Sequence, residues 1–239
     1  MRAPYGMILI EDCKSCPVRR DGFFCQLPAP ALQALASVKF TTTYPAQAVL
    51  YVEGQASRGV YMLCKGRVKL TMNSADGKTL IVRICEPGEM LGAHAAISSE
   101  PYEVTAEALE PCQVDFVRSV DFLRLIHEQP AIAVAAMRQL GTSYRRACQE
   151  IRYLGLSRSA SEKVAQFLLE TSTKGRQTNQ GKRFHLGLTH EEISQIVGIS
   201  RETVTRTMTD FRCKDLIATE GSIVVIRNEP GLKAQASVA

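Results

Sequence analysis

The stretch Thr189-His190-Glu191-Glu192-Ile193-Ser194-Gln195-Ile196-Val197-Gly198-Ile199-Ser200-Arg201-Glu202-Thr203-Val204-Thr205-Arg206 decides the fold. Thr189 offers a hydroxyl at a helix start and Glu192, three residues on, a carboxylate, the reciprocal pair of a capping box. The helix they open turns Ile193, Ile196 and Val197 inward and stops at Gly198. Ile199 bridges, and Ser200 caps a second helix beginning at Arg201. Two helices joined by a short turn with glycine are the helix-turn-helix signature. On the second helix Val204, Met208 and Phe211 share the inner side, and Arg201, Glu202, Thr205 and Arg206 the outer side. That outer side suits a DNA groove, since Arg donates two bonds to guanine O6 and N7 and Glu accepts from cytosine N4. Glu202 and Arg206, four apart, are spaced to orient each other. The candidate DNA-contacting set is Arg201, Glu202, Thr205 and Arg206, with the cap residues Ser200 and Thr189.

Outward from this motif, Gly221-Ser222 turns into Ile223–Ile226, a short strand. Upstream, Ser161–Glu170 is an amphipathic helix and Lys174–Lys182 a polar loop, and the helical pattern resumes over Leu188–Ile217. Pro130 to Leu154 reads as one long helix. Its apolar residues Ala136, Leu140, Tyr144, Ala147, Ile151 and Leu154 recur every three to four positions. This spacing fits a two-stranded seam between copies, and it also fits packing on the helix's own domain. The Arg-rich outer face (Arg138, Arg145, Arg146, Arg152) favours the seam. From about 40 to 118 the chain reads as short strands, with Asp76-Gly77 as a hairpin signal and Pro87-Gly88 as a turn, the pattern of a sandwich or barrel.

Composition narrows the class. The 239 residues are 45% hydrophobic and 22% charged, ordinary for a globular chain. Net charge is +5, compatible with an anionic partner without requiring one. The longest apolar run, Ala131–Met137, falls far short of the ~20 residues of a membrane span. Met7–Ile10 is too short for a secretory apolar region, so a cytoplasmic location is expected. No P-loop, dinucleotide glycine motif or nucleophile–base spacing points to an enzyme. Eight cysteines are present, and three of them, Cys13, Cys16 and Cys25, crowd the first 25 residues in a C-x2-C-x8-C pattern. Clustered cysteines away from an oxidising compartment suggest metal or redox chemistry. The scattered Cys64, Cys85, Cys148 and Cys213 read as small buried hydrophobes.

A small β-barrel, a long helix and a winged helix-turn-helix together resemble the CRP/FNR family of bacterial transcription regulators. The resemblance spans nearly the whole chain and is most specific over Leu188–Ile217. Arg201, Glu202 and Arg206 match the base-reading positions of the cyclic-AMP-receptor branch. FNR itself lacks the first Arg, so the implied half-site is nearer TGTGA than TTGAT. Gly54–Gly92, with Tyr61-Met62-Leu63, Gly66-Arg67-Val68 and Pro87-Gly88-Glu89, looks like the family's cyclic-nucleotide-binding domain. That branch holds the cyclic phosphate with an Arg-Ser pair. Here the corresponding stretch is Ser99-Glu100-Pro101-Tyr102-Glu103, whose carboxylates disfavour a phosphate, so cyclic AMP is not expected.

The N-terminal triplet resembles that of FNR-type oxygen sensors, which implies an iron–sulfur cluster of the four-iron type on Cys13, Cys16 and Cys25. The fourth cysteine of that branch aligns with Asp115. Cys112, three residues earlier, is the alternative ligand, although it also matches a cysteine that the cyclic-AMP-receptor branch keeps without a cluster. A zinc site or a thiol switch is the other use of the same residues.

The expected fold is α+β, in four parts. Residues 1–30 are a cysteine-containing sensor segment and 31–128 a cyclic-nucleotide-binding-like jelly-roll barrel. Residues 129–155 are a dimerisation helix and 156–239 a winged helix-turn-helix domain. The expected function is sequence-specific transcription regulation by a homodimer on an inverted repeat of double-stranded DNA, with RNA polymerase as a further partner. The signal would be oxygen, redox state or nitric oxide. The alternative is gating by a small molecule or haem in the barrel, where His94 is the candidate axial ligand.

Overall fold

The computed structural model describes residues 4–10, 12, 13, 16, 24–156 and 159–236, with 149, 150, 152–156 and 174 described by their backbone alone. The chain divides into two compact units, 1–147 and 148–239.

The first unit opens with α1 (Ala29–Ala36), started by prolines that fit a helix's first turn and packing Ala31, Leu32 and Leu35 inward. The strands β1 (Phe40–Tyr44), β2 (Val49–Tyr51), β3 (Gly59–Lys65), β4 (Val68–Asn73), β5 (Thr79–Cys85) and β6 (Met90–Leu91) follow. Helix α2 (Ala93–Ser98), strands β7 (Thr105–Ala108) and β8 (Cys112–Arg118), helix α3 (Ser119–Glu128) and helix α4 (Pro130–Leu156) up to residue 147 complete it. Two antiparallel sheets form, in the orders β1-β8-β3-β6 and β2-β7-β4-β5. Between them lies a core that includes Tyr51, Leu63, Val68, Cys85, Ala106, Cys112 and Val114. A second apolar cluster joins the barrel to the helices through Leu32, Val60, Phe122, Leu125, Ile132 and Ala136. The β4–β5 hairpin closes at Gly77, whose φ of 81° is the left-handed conformation that glycine tolerates. The strand β1 escapes sequence reading because Thr41–Thr43 are polar and the strand lies largely exposed.

The second unit holds α5 (Ala160–Thr171), β9 (Arg176–Thr178), β10 (Gly181–His185), α6 (His190–Val197), α7 (Arg201–Cys213), β11 (Ile217–Glu220), β12 (Ile223–Ile226) and α8 (Glu229–Ala236). Its sheet runs β11-β12-β10-β9. The segment expected as a loop, Lys174–Lys182, therefore carries a strand, because Gln177 and Thr178 pair with β10. Ile217, expected at a helix end, begins β11 and pairs with Ile226. The core draws Val164, Leu168, Ile193, Val197, Val204, Met208, Phe211, Leu216 and Val224 together.

Candidate nucleic-acid interface and N-terminal thiol segment

The two helices of the motif are set by their caps. Thr189 Oγ1 accepts from the Glu192 amide at 3.1 Å while Glu192 Oε2 accepts from the Thr189 amide at 2.8 Å. Gly198 ends α6 in the left-handed conformation, φ 66°. Ser200 Oγ then accepts from the Thr203 amide at 3.2 Å to start α7. Each cap satisfies amides that a helix N-terminus leaves without partners. Val204, Met208 and Phe211 are buried on the inner side of α7, and Arg201, Glu202, Thr205 and Arg206 are exposed on the other.

Glu202 does not take Arg206 as its partner: no ion pair joins them among the described residues. Its own backbone amide and the Ser200 hydroxyl hold the Glu202 carboxyl below its usual range, with help from Arg201. Arg206 and Glu202 are thus presented without each other as partner. The expected set also missed a contact from the preceding helix. His190 Nδ1 lies 2.9 Å from Thr205 Oγ1, and the same hydroxyl donates to the Arg201 carbonyl at 3.0 Å. Only its position as the first residue of α6 hinted at His190. The wing β11–β12 is tied back by Arg183 Nη1 to Glu220 Oε2 at 2.9 Å.

In the first unit the N-terminal segment is stitched to the barrel. Gln113, fully buried, accepts from the Ile10 amide at 2.7 Å and donates to its carbonyl at 2.6 Å. Lys65 Nζ donates to the Ile8 carbonyl at 3.3 Å. Cys13 Sγ sits 3.7 Å from Lys39 Nζ, and Lys39 pairs with Asp115 at 2.6 Å. Burial pushes the Cys13 thiol above its ordinary range, although Lys39 pulls the other way. Cys64 is driven up more strongly, by burial first and then by Asp115.

The expectation that Cys112 joins the N-terminal cysteines is corrected here. Cys112 faces the core between the sheets and donates to the carbonyls of Arg67 at 3.3 Å and Glu110 at 3.1 Å. Burial pushes its thiol up to about 11. Gly66, at φ 86°, leaves it room: a Cβ there would come within 2.6 Å of Cys112 Sγ. The thiol is directed into the core between the sheets, whereas Asp115, on the other face of β8, meets Lys39 beside Cys13. Cys16 and Cys25 are partly buried, and no group of three His, Cys, Asp or Glu side chains is gathered for a metal among the described residues. Among the described residues, Cys112 is the one of the four candidate cysteines that lies in the core between the sheets. Cys148 and Cys213, expected inside, are exposed, and Cys85 is buried as expected.

In the stretch matched to the cyclic phosphate site, Tyr102 is buried. Its ring stacks on Tyr51 with centroids 4.0 Å apart. Its hydroxyl donates to the Gly59 carbonyl at 2.8 Å and accepts from the Gly59 and Arg58 amides at 3.2 and 3.1 Å. His94, the haem candidate, has its side chain 63% exposed beside Glu103, an open position for an axial ligand that a haem pocket would have to shield. Between barrel and α4, Arg83 contacts Ser143 at 3.4 Å and Cys85 at 3.0 Å, and Arg146 pairs with Glu89. Arg83 Nε and Gln139 Oε1 are buried there without partners among the described residues.

The long helix does not turn the expected stripe outward as a whole. Ala136 is 3% exposed in the barrel–helix core and Leu140 packs against it. Tyr144 and Ile151 are each 72% exposed, and Ala147 is exposed. The side chain of Leu154 lies outside the described residues. The exposed large apolar side chains of α4 among the described residues are Val134, Met137, Tyr144 and Ile151. With exposed Gly141 and Cys148 they run at alternating steps of three and four.

Comparison with known proteins agrees with this geometry. Residues 41–129 match the family described as cyclic nucleotide-binding domain, and residues 162–235 the Crp-like helix-turn-helix domain. A CRP-like cAMP-activated global transcriptional regulator of Mycobacterium tuberculosis is 27% identical over 218 residues, covering 91% of this chain and 97% of its own. The nitrogen fixation regulation protein FixK of Azorhizobium caulinodans is 27% identical over 205 residues, covering 84% of this chain and 81% of its own. FixK2 from Bradyrhizobium japonicum shares the fold with a TM-score of 0.74 at 23% identity, over 84% of this chain and 99% of that one. A CooA mutant from Carboxydothermus hydrogenoformans does so with a TM-score of 0.74 at 22% identity, over 86% of this chain and 90% of that one. No helix among the described residues is long and apolar enough to cross a membrane. The chain belongs to the CRP/FNR family of DNA-binding transcription regulators, with a cyclic nucleotide-binding domain followed by a Crp-like helix-turn-helix domain.

Proposed function

We propose that this regulator acts as a homodimer in the cytoplasm, reads an inverted repeat with TGTGA-like half-sites, and acts on RNA polymerase from there. The observation that carries the reading is α7, capped by Ser200, which presents Arg201, Glu202, Thr205 and Arg206 on one exposed side while its other side is locked in a core. The cap residues Ser200 of α7 and Thr189 of α6 join the proposed DNA-contacting set. A two-fold dimer places its recognition helices about one helical turn apart, about 34 Å, which makes the operator an inverted repeat. The seam is proposed along α4 at Val134, Met137, Tyr144, Cys148 and Ile151, supported by their joint exposure and their spacing of near 3.5. Selection of sites from random duplex DNA by the full chain tests this directly. Inverted TGTGA-like repeats are the expected product, and direct repeats or single half-sites would overturn it.

The signal is proposed to enter at Cys13, Cys16 and Cys25, as oxygen, redox state or nitric oxide. Support comes from the place of Cys13 against the Lys39–Asp115 pair and from the Gln113 bonds that tie Ile10 to β8, so that a change at the thiol reaches the barrel. For an iron–sulfur reading of these thiols, the oxygen ligand Asp115 replaces Cys112, and Asp115 is held here by Lys39. Iron and sulfide analysis of anaerobically prepared protein, compared with the triple Cys13→Ser, Cys16→Ser, Cys25→Ser variant, separates the chemistries. Peroxide treatment should change DNA affinity in the wild type and not in the triple variant. An equal response in both removes the N-terminal thiols as the sensor.

One observation favours a second reading, gating by a small ligand between barrel and α4. Arg83 Nε and Gln139 Oε1 are buried polar atoms that a ligand of suitable shape would satisfy.

A further inference from the structure

Thr205 stands in the middle of the exposed side of α7, one residue before Arg206. Its hydroxyl is already engaged. A threonine hydroxyl has one proton to give. Here that proton goes to the carbonyl of Arg201, 3.0 Å away, one turn back on the same helix. The oxygen also meets His190 Nδ1 at 2.9 Å. With the hydroxyl proton committed to the helix, His190 is the donor of this second bond. Both bonds turn Oγ1 toward protein: one to the helix backbone, the other to the first residue of α6. Thr205 nonetheless remains exposed. The branch of Cβ that is left for the groove is the methyl group, staggered away from Oγ1.

From this arrangement, and resting on the reading of α7 as the recognition helix, we infer that Thr205 reads the 5-methyl group of a thymine by apolar contact, and that His190 is the positioning residue that turns the methyl outward. Without His190 the hydroxyl is released from one of its two partners and competes for base-edge acceptors and donors. Threonine is suited to either use: its methyl packs on a thymine methyl, and a free hydroxyl bonds to several bases. The His190 contact selects the first.

The test uses the full chain and its selected operator, with each thymine of one half-site replaced in turn by uracil, which differs only in lacking the 5-methyl group. Wild-type protein should lose about fourfold in affinity at one such position, the worth of one buried methyl-sized group. Thr205→Val, which keeps a methyl in place, should retain that loss. Thr205→Ser, which has none, should bind thymine and uracil operators equally. His190→Ala should shrink the difference and broaden the base preference at that position, and His190→Gln, which restores a donor, should recover it. The inference is overturned if no uracil substitution weakens the wild type, if Thr205→Ser keeps the discrimination, or if His190→Ala leaves it intact. Arg206→Ala is the separate control. Loss of guanine preference in that variant, with uracil indifference in the wild type, sinks the thymine inference alone. Unchanged preference in Arg206→Ala sinks the assignment of α7 itself.

Discussion

Lys39 Nζ lies 2.6 Å from Asp115 Oδ2, with the two side chains 13% and 3% exposed, and the Thr41 hydroxyl donates to the other carboxylate oxygen at 2.6 Å. A carboxylate this deep in a barrel wall is tolerable only with such partners. Lys39→Met should therefore lower the stability of the first unit by about 3–5 kcal/mol, because it strands the Asp115 charge. Lys39→Met with Asp115→Leu should recover much of the loss. Urea denaturation of the two variants checks this, and equal destabilisation by both would mean that packing, not the stranded charge, sets the cost.

Arg206→Ala should weaken specific DNA binding by about 1–3 kcal/mol and relax the preference at one guanine, while Glu202→Ala should relax it at a C·G pair. Because Glu202 is held by its own amide and Ser200 instead of Arg206, the two losses should be close to additive. Titration of each single and the double variant against the selected operator measures this.

Tyr144→Glu and Ile151→Glu, at exposed positions of α4, should yield folded monomers without specific DNA binding. Ala136→Glu should behave differently and unfold the first unit, since it puts a charge into the barrel–helix core. Cys148 is exposed and in register with the seam, so mild oxidation should link two protomers through it. Sedimentation velocity and non-reducing electrophoresis report on both. A stable dimer in the two exposed-site variants excludes this face.

Cys85 is fully buried, and burial pushes its thiol up to about 12 from an ordinary 9.0, against the pull of Arg83. The folded state thus keeps a proton that the unfolded chain releases near pH 9.0. Its contribution to stability is whole below that pH and is lost as pH rises through about 12. One proton corresponds to a slope of at most about 1.4 kcal/mol per pH unit. Cys85→Ala should flatten the alkaline decline in stability relative to wild type. An unchanged slope between pH 9 and 11 in denaturant titrations would refute the assignment.

Much of the architecture was open to sequence reading because its signals are local. The capping box of Thr189 and Glu192, the glycine stop at 198 and the Ser200 cap act within one helical turn, and the structure contains each of them. The Asp76-Gly77 hairpin and the strand Thr79–Cys85 were equally legible, since turn chemistry and alternation do not depend on distant residues. The strand β9 was not, because Gln177 and Thr178 become a strand only by pairing with β10.

The sequence by itself determined the helix-turn-helix, the strand after Gly221-Ser222 and the polar outer side of α7, all products of periodicity and capping within short windows. Only the tertiary structure decided which face of α4 meets the barrel. Ala136 and Leu140 follow the same repeat as Tyr144 and Ile151, yet the first pair is drawn against Phe122 and Ile132 in the core, and no local signal separates the two. The same holds for Cys112 and Asp115, three residues apart on one strand. Alternation along a strand puts odd-numbered separations on opposite faces, so Cys112 enters the core between the sheets while Asp115 meets Lys39 beside the N-terminal segment. Which face is interior depends on where the rest of the chain packs, and that is a long-range fact.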